Sequence, residues 1–215
     1  MKDREFYKSF FRLYIVLVLQ NIVTLSVNLA DNIMLGAYGE ISLSGVTAVN
    51  QIQFLYQQLL IAFGDGMVIF CSQYWGKKQI QPMKKVIAIA MRFGVATAVM
   101  LFLAITLFPG QAMQVFTTDE RIIREGVTYL RTIRFTYLFF AVTQMLLAAL
   151  RSTEVAKIAL KLSVLALVVN CGINYVLIFG RFGAPELGVT GAAIGTLTAR
   201  ILECAVLIWY IVQKE

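Results

Sequence analysis

An all-α integral membrane protein, a bundle of six transmembrane helices, is the fold class this sequence predicts, and three observations carry it. The 215 residues are 59% hydrophobic and only 14% charged, and the mean hydropathy of +0.76 lies well above that of a soluble domain. Apolar stretches of about 20 residues, the length a helix needs to cross the hydrocarbon core, recur along the whole chain. Lys and Arg fall on alternate sides of those stretches, as positive charge does when it is retained in the cytoplasm. A β-barrel is the wrong reading, because KVIAIAMRFGVATAVMLFLAITLF stays apolar far beyond the roughly 10-residue alternating strands of that class.

The first segment, 10–36, follows Lys2, Arg4, Lys8 and Arg12. Such a start also opens a signal peptide, but this apolar core is too long and nothing like A-x-A follows it, so the segment is expected to remain as a span. The second, 47–71, opens rich in amides and turns apolar. The third, 86–108, is apolar around a single Arg92. The fourth, 127–150, carries Arg131 and Arg134 near its start, one turn apart. The fifth, 158–179, contains two asparagines, and the sixth, 188–212, contains Arg200 and Glu203. Little chain remains for a soluble domain.

Between the segments, Lys77, Lys78, Lys84 and Lys85, then Arg151, Lys157 and Lys161, and finally Lys214 lie on the same side as the basic start. Only Arg121, Arg124 and Arg181 lie opposite. This bias predicts both termini in the cytoplasm. The net charge of +7 is mostly that topological signal plus affinity for anionic membrane lipids. No basic stripe with interleaved aromatics suggests a nucleic acid partner.

Chemistry is bounded by what is missing. The chain has no histidine, which removes Ser–His and Cys–His nucleophile pairs and most zinc centres. Cys71, Cys171 and Cys204 are an odd number without a CxxC, and they read as small apolar fillers. An enzyme is not expected.

The ionisable residues inside the segments are the informative ones, since charge at membrane depth is costly and marks interiors, cavities and relays. Asp31 is short, cannot reach the interface, and has no cation within a turn on its own helix. In a dry site it survives as the neutral acid and becomes a proton carrier; beside acceptor oxygens it holds a sodium ion. In LVVNCGINYVLIFG, Asn170 and Asn174 stand at i,i+4 on one helix face, with Gly172 expected to admit a close neighbour. They read equally as partners of Asp31 or as cross-helix glue. Asn50, Gln53 and Gln57 share one face of the second segment and are candidates to line an aqueous cavity, with Gln51 and Gln58 falling elsewhere. Phe54 and Tyr56 read as packing or interfacial residues before ligand contacts. Asp65, between Gly64 and Gly66, is either a second titrating site lining that cavity or the partner of an arginine. Arg131 and Arg134 read as structural, and Arg200 and Glu203 as a self-neutralising i,i+3 pair.

MLGAYGEISLSGVTA (34–48) and IFGRFGAPELGVTGA (178–192) resemble each other. Both combine G-x-x-G, a leucine and Gly-Val-Thr, and convergent turn chemistry explains most of the likeness.

D-N-I-M-L-G-x-x-G (31–39), G-x-G followed by S-Q-Y-W-G (64–76), L-R-S-T (150–153), N-x-x-x-N-Y-x-L-I-F-G (170–180) and G-V-T-G-A-A-x-x-T (188–196) together resemble the amino-terminal lobe of the multidrug and toxic compound extrusion (MATE) family. The resemblance implies a secondary active antiporter of the plasma membrane. Such proteins expel lipophilic, often cationic organic compounds in exchange for H+ or Na+, with no cofactor besides the coupling ion. It implies two six-helix lobes around a cavity, of which residues 1–215 would be one, with the carboxy-terminal lobe absent. The partners it implies are a small organic substrate and either the missing lobe or a second copy in a parallel homodimer. By the same resemblance Asp31 binds the coupling ion, Asn170 and Asn174 stand beside it, and Thr196 supplies a hydroxyl. Some members carry an aspartate where this chain has Asn174, and the family usually has a glycine at the position of Glu154. Two other readings stay open: a non-transporting accessory or truncated half-subunit, and a flippase for lipid-linked sugars.

Overall fold

The computed structural model describes residues 2–153, 155 and 157–213. Glu154 and Lys214, used above, lie outside them. The regular elements are α1 (Lys2–Tyr38), α2 (Glu40–Gly76), α3 (Ile80–Leu107), a short α4 (Pro109–Gln114), α5 (Glu120–Ser152), α6 (Lys157–Ile178) and α7 (Gly188–Val212), with one 3₁₀ turn at Arg181–Gly183. There is no strand among the described residues. Among the described residues six helices are long and apolar enough to cross a membrane, and each matches one expected segment, α3 and α6 ending one residue short of it.

The helices overrun the expected ends where polar residues follow, because the apolar rule measures only the lipid-crossing part. α1 and α2 are 37 residues each. The amphipathic α4 was not expected. It starts on Pro109, which needs no N–H at a first helical position, and lays Met113 over Gly126 of α5.

α5 lies at the centre, packed along α2, α3 and α7, while α6 packs against α7 and α1. Lipid tails are as apolar as leucine, so helices associate through close backbone approach and hydrogen bonds instead of hydrophobic burial. The small residues mark where this happens. A Cβ on Gly45 would stand 2.9 Å from Gly126 N and Glu125 Cβ, and one on Gly191 would stand 2.7 Å from the Leu177 carbonyl. The Tyr56 hydroxyl donates to the Tyr137 carbonyl at 2.7 Å, and the two rings meet edge to face at 5.3 Å, which fastens α2 to α5.

α1 has two unlike faces. Ile15, Ile22, Leu25, Leu29 and Ile33 are exposed and share one side of the helix, as 100° per residue requires. Gln20, Thr24, Val27 and Asp31 lie on the opposite side, toward the other helices.

Two local expectations are corrected. Nothing lies within 4 Å of a Cβ built on Gly172 or Gly66, so neither admits a close neighbour; Gly64 does, with Ala148 Cβ at 3.3 Å. The two similar hairpins also differ in backbone. α1 and α2 are joined by Gly39 alone in an extended conformation, whereas the α6–α7 turn uses left-handed glycines, Gly180 at φ 62° and Gly188 at φ 51°. Gly188 also faces the Tyr38 ring too closely for any side chain.

Candidate functional site

Three helices bring the first candidates together. Asn174 Nδ2 on α6 donates to Asp31 Oδ1 on α1 at 2.6 Å and lies 3.3 Å from Asn170 Oδ1 one turn earlier. Asn170 Nδ2 in turn donates to Thr196 Oγ1 on α7 at 3.1 Å. The result is a hydrogen-bonded series Asp31, Asn174, Asn170, Thr196. Asn170 is 1% exposed and Asn174 fully buried, and at such depth each unpaired polar atom is expensive, so the amides are held to this arrangement. Gly195 sets the register. A Cβ there would strike the Asn174 carboxamide oxygen, so only glycine lets α7 close over the amide. Gly191 and Gly195 form a G-A-A-I-G stretch of the small-x-x-x-small kind, and both face α6, against Leu177 and Asn174 respectively.

The network borders two polar cavities. The one nearer the α1–α2 turn, termed the outer for that position in the bundle, is about 380 Å³ and is lined by Asp31, Asn28 and Asn32 of α1, by Thr47, Asn50, Gln51, Gln53, Phe54 and Gln57 of α2, by Tyr129 of α5, and by Thr196 and Arg200 of α7. The inner one, about 250 Å³, takes Asp65, Gln144, Arg151, Ser163, Asn170 and Glu203 among its walls. Thr24, Val27, Gln57, Thr196 and Arg200 border both and mark the boundary, termed the septum, where the two meet.

Asn50, Gln53 and Gln57 line the same cavity as Asp31. Gln51 lines it too, against expectation, because the cavity takes a wider arc of α2 than one helical face. Asp65 does not line it. It borders the inner cavity, 3.7 Å from Arg151 Nη2, and is thus the partner of an arginine. Phe54 is on the cavity wall, while Tyr56 is core. Arg134 donates to Thr106 at 3.1 Å and lies over the Phe135 ring at 5.1 Å, a structural role, and Arg131 is exposed.

Sequence reasoning missed Tyr129, Arg200 and the polar stripe of α1. The stripe was readable, since Gln20, Thr24, Asn28 and Asp31 recur at helical spacing. Arg200 was seen only as half of a pair. The pair exists, with Nη1 to Glu203 Oε2 at 2.8 Å, but the guanidinium also stacks 4.9 Å from the Phe140 ring centre and reaches both cavities.

For a monovalent cation the oxygen-bearing side chains that line this cavity with the Asp31 carboxylate include the Asn32 carboxamide and the Thr196 hydroxyl. The Asn32 and Asn174 oxygens are buried and accept no hydrogen bond from the described residues. No group of three or more His, Cys, Asp or Glu side chains is assembled among the described residues. A dedicated divalent or zinc centre has no ligand set there.

A six-span helical lobe with a half-buried acid and two buried amides beside a polar cavity defines a class of membrane transport protein. The MatE family model matches residues 17–176, and the chain belongs to that family. It is 30% identical over 193 residues to the probable multidrug resistance protein NorM of Rhizobium meliloti, covering 87% of this chain and 40% of that protein. It is 26% identical over 212 residues to the probable NorM of Thermotoga maritima, covering 98% of this chain and 46% of that protein. The bent form of the Vibrio cholerae MATE transporter VcmN superposes with a TM-score of 0.86 at 17% identity, covering 96% of this chain and 46% of that one, which speaks for the fold. The chain thus spans less than half the length of these relatives.

Proposed function

We propose that this chain is one lobe of a multidrug efflux antiporter of the plasma membrane, with both termini cytoplasmic. It exports lipophilic, often cationic organic compounds in exchange for H+ or Na+, and it works by alternating access in place of enzymatic chemistry. What carries the reading is the Asp31 carboxylate, held by Asn174 at 2.6 Å beside a polar cavity inside an apolar bundle. A carboxylate at that depth demands compensation, and no cation lies on its own helix within a turn. A proton or a sodium ion supplies it, and removal of that cation restores an unfavourable charge. The cation then biases the lobe between outward-open and inward-open states by as much as its affinity differs between them.

The lobe closes a substrate cavity with a second lobe, either a further polypeptide or another copy in the same orientation. The test is gradient-driven dye efflux from liposomes carrying the chain, with and without the second lobe. Asp31→Asn is expected to abolish coupled efflux while the protein still inserts; retained gradient-driven export overturns the reading. No dye movement by any pairing would favour the accessory half-subunit, and movement of a lipid-linked sugar in place of dye would favour the flippase.

A further inference from the structure

We propose that Arg200 is a movable counter-ion shared by two carboxylates, and that the cation held at Asp31 decides which of them it serves. The proposal rests on the reading of Asp31 as the cation site. Among the residues lining the two cavities, Asp31 borders only the outer, Glu203 only the inner, and Arg200 both. The guanidinium is drawn to Glu203 at 2.8 Å and held flat on Phe140 at 4.9 Å. The other charged or titratable groups around these cavities are Asp65 of α2 and Tyr129 and Arg151 of α5, and Asp65 and Arg151 already serve each other at 3.7 Å. α6 contributes the uncharged Ser163, Ala166 and Asn170 to the cavity walls.

Among the described residues, Arg200 is thus the basic side chain that lines the cavity of each carboxylate. In the proposed cation-bound state Arg200 pairs with Glu203, lies over Phe140 and completes the septum with Thr24, Val27, Gln57 and Thr196; the pair and the ring contact are present in this structure. When Asp31 loses its cation, its bare charge competes for the same guanidinium. Arg200 then leaves the Phe140 face, and the septum between the cavities opens. Thr196, one turn before Arg200 on α7, ties this motion to the Asn170 and Asn174 series. Arg200 is thus a positioning residue, which converts the state of the ion site into the state of a barrier.

The experiment places a single cysteine, Val27→Cys, on the septum in a background of Cys71→Ala, Cys171→Ala and Cys204→Ala. Its reaction with a membrane-impermeant thiol reagent from the outer side is timed in cation-rich conditions (acid, or high Na+) and in cation-poor ones. Rates are referred to the thiolate fraction at each pH. With Arg200 present, a change of at least tenfold between the two conditions is expected. Arg200→Lys keeps the mobile charge and should keep the response. The double variant Arg200→Gln with Glu203→Gln removes the pair without leaving a buried lone charge and should lose it. A response that persists in the double variant, or none in the parent, overturns the proposal. Asp31→Asn is expected to hold the rate fixed in the parent; if the rate still responds there, the Asp31 reading fails, while the Arg200 variants still report on the septum.

Discussion

Asn174 spends both amide hydrogens, one on Asp31 at 2.6 Å and one toward Asn170 at 3.3 Å, so it cannot turn without releasing one of them. Gly195 enforces that orientation by leaving room for the carboxamide oxygen and nothing more. Gly195→Ala should therefore displace Asn174, uncouple Asp31 from α6 and abolish gradient-driven efflux in reconstituted vesicles. Protein amount and insertion should stay close to the parent's. At the start of α5, Asp119 caps the helix by accepting from the Arg121 backbone N–H at 2.8 Å. The Arg121 side chain and that N–H hold the Asp119 carboxyl below the usual range. The stability it contributes is present above the unfolded-state value and is lost as pH falls through the lower folded-state value. Thermal melts in detergent should show an acid-side loss below about pH 4 that is smaller in Asp119→Asn.

At the scale of elements, the α2–α5 and α6–α7 contacts set the geometry, and both depend on missing side chains. Gly45→Ala drives a methyl into Gly126 N and Glu125 Cβ, backbone and a side-chain root that yield little. Overpacking of this kind costs about 1–3 kcal/mol, to be read as a lowered midpoint of thermal unfolding in detergent. Gly172→Ala meets open space and should leave the midpoint unchanged. This contrast also marks how far the sequence could be read. The six spans were legible because lipid demands long apolar runs, and Asp31, Asn170 and Asn174 stood out as polar residues against them. Which glycines are contact points was not legible, since Gly172 and Gly191 look alike in an apolar helix until the neighbour is placed. For the same reason Gln51 was assigned away from the cavity and Arg200 was read as a closed pair. Helical spacing gives the angle of a residue, but the width of a cavity is a property of several helices. α4 was missed because six residues carry too little periodicity to announce a helix.

Taken whole, the molecule is a lobe whose lipid-facing surface is apolar and whose interior holds two polar cavities divided at Thr24, Val27, Gln57, Thr196 and Arg200. Relatives in the same family are about twice its length, so transport is a property proposed for this lobe together with a second. The proposed ion site, by contrast, draws its residues from α1, α6 and α7 of this lobe, and on that proposal it should operate in the isolated chain. That gives the most direct test. A lipophilic cationic dye is added to the purified chain in detergent, and the coupling ion set free is counted, protons with a pH indicator and sodium with a radiotracer. The expected result is release of one cation per chain, abolished by Asp31→Asn. Equal release from the Asp31→Asn variant would contradict the claim that the Asp31 carboxylate is where the coupling cation resides.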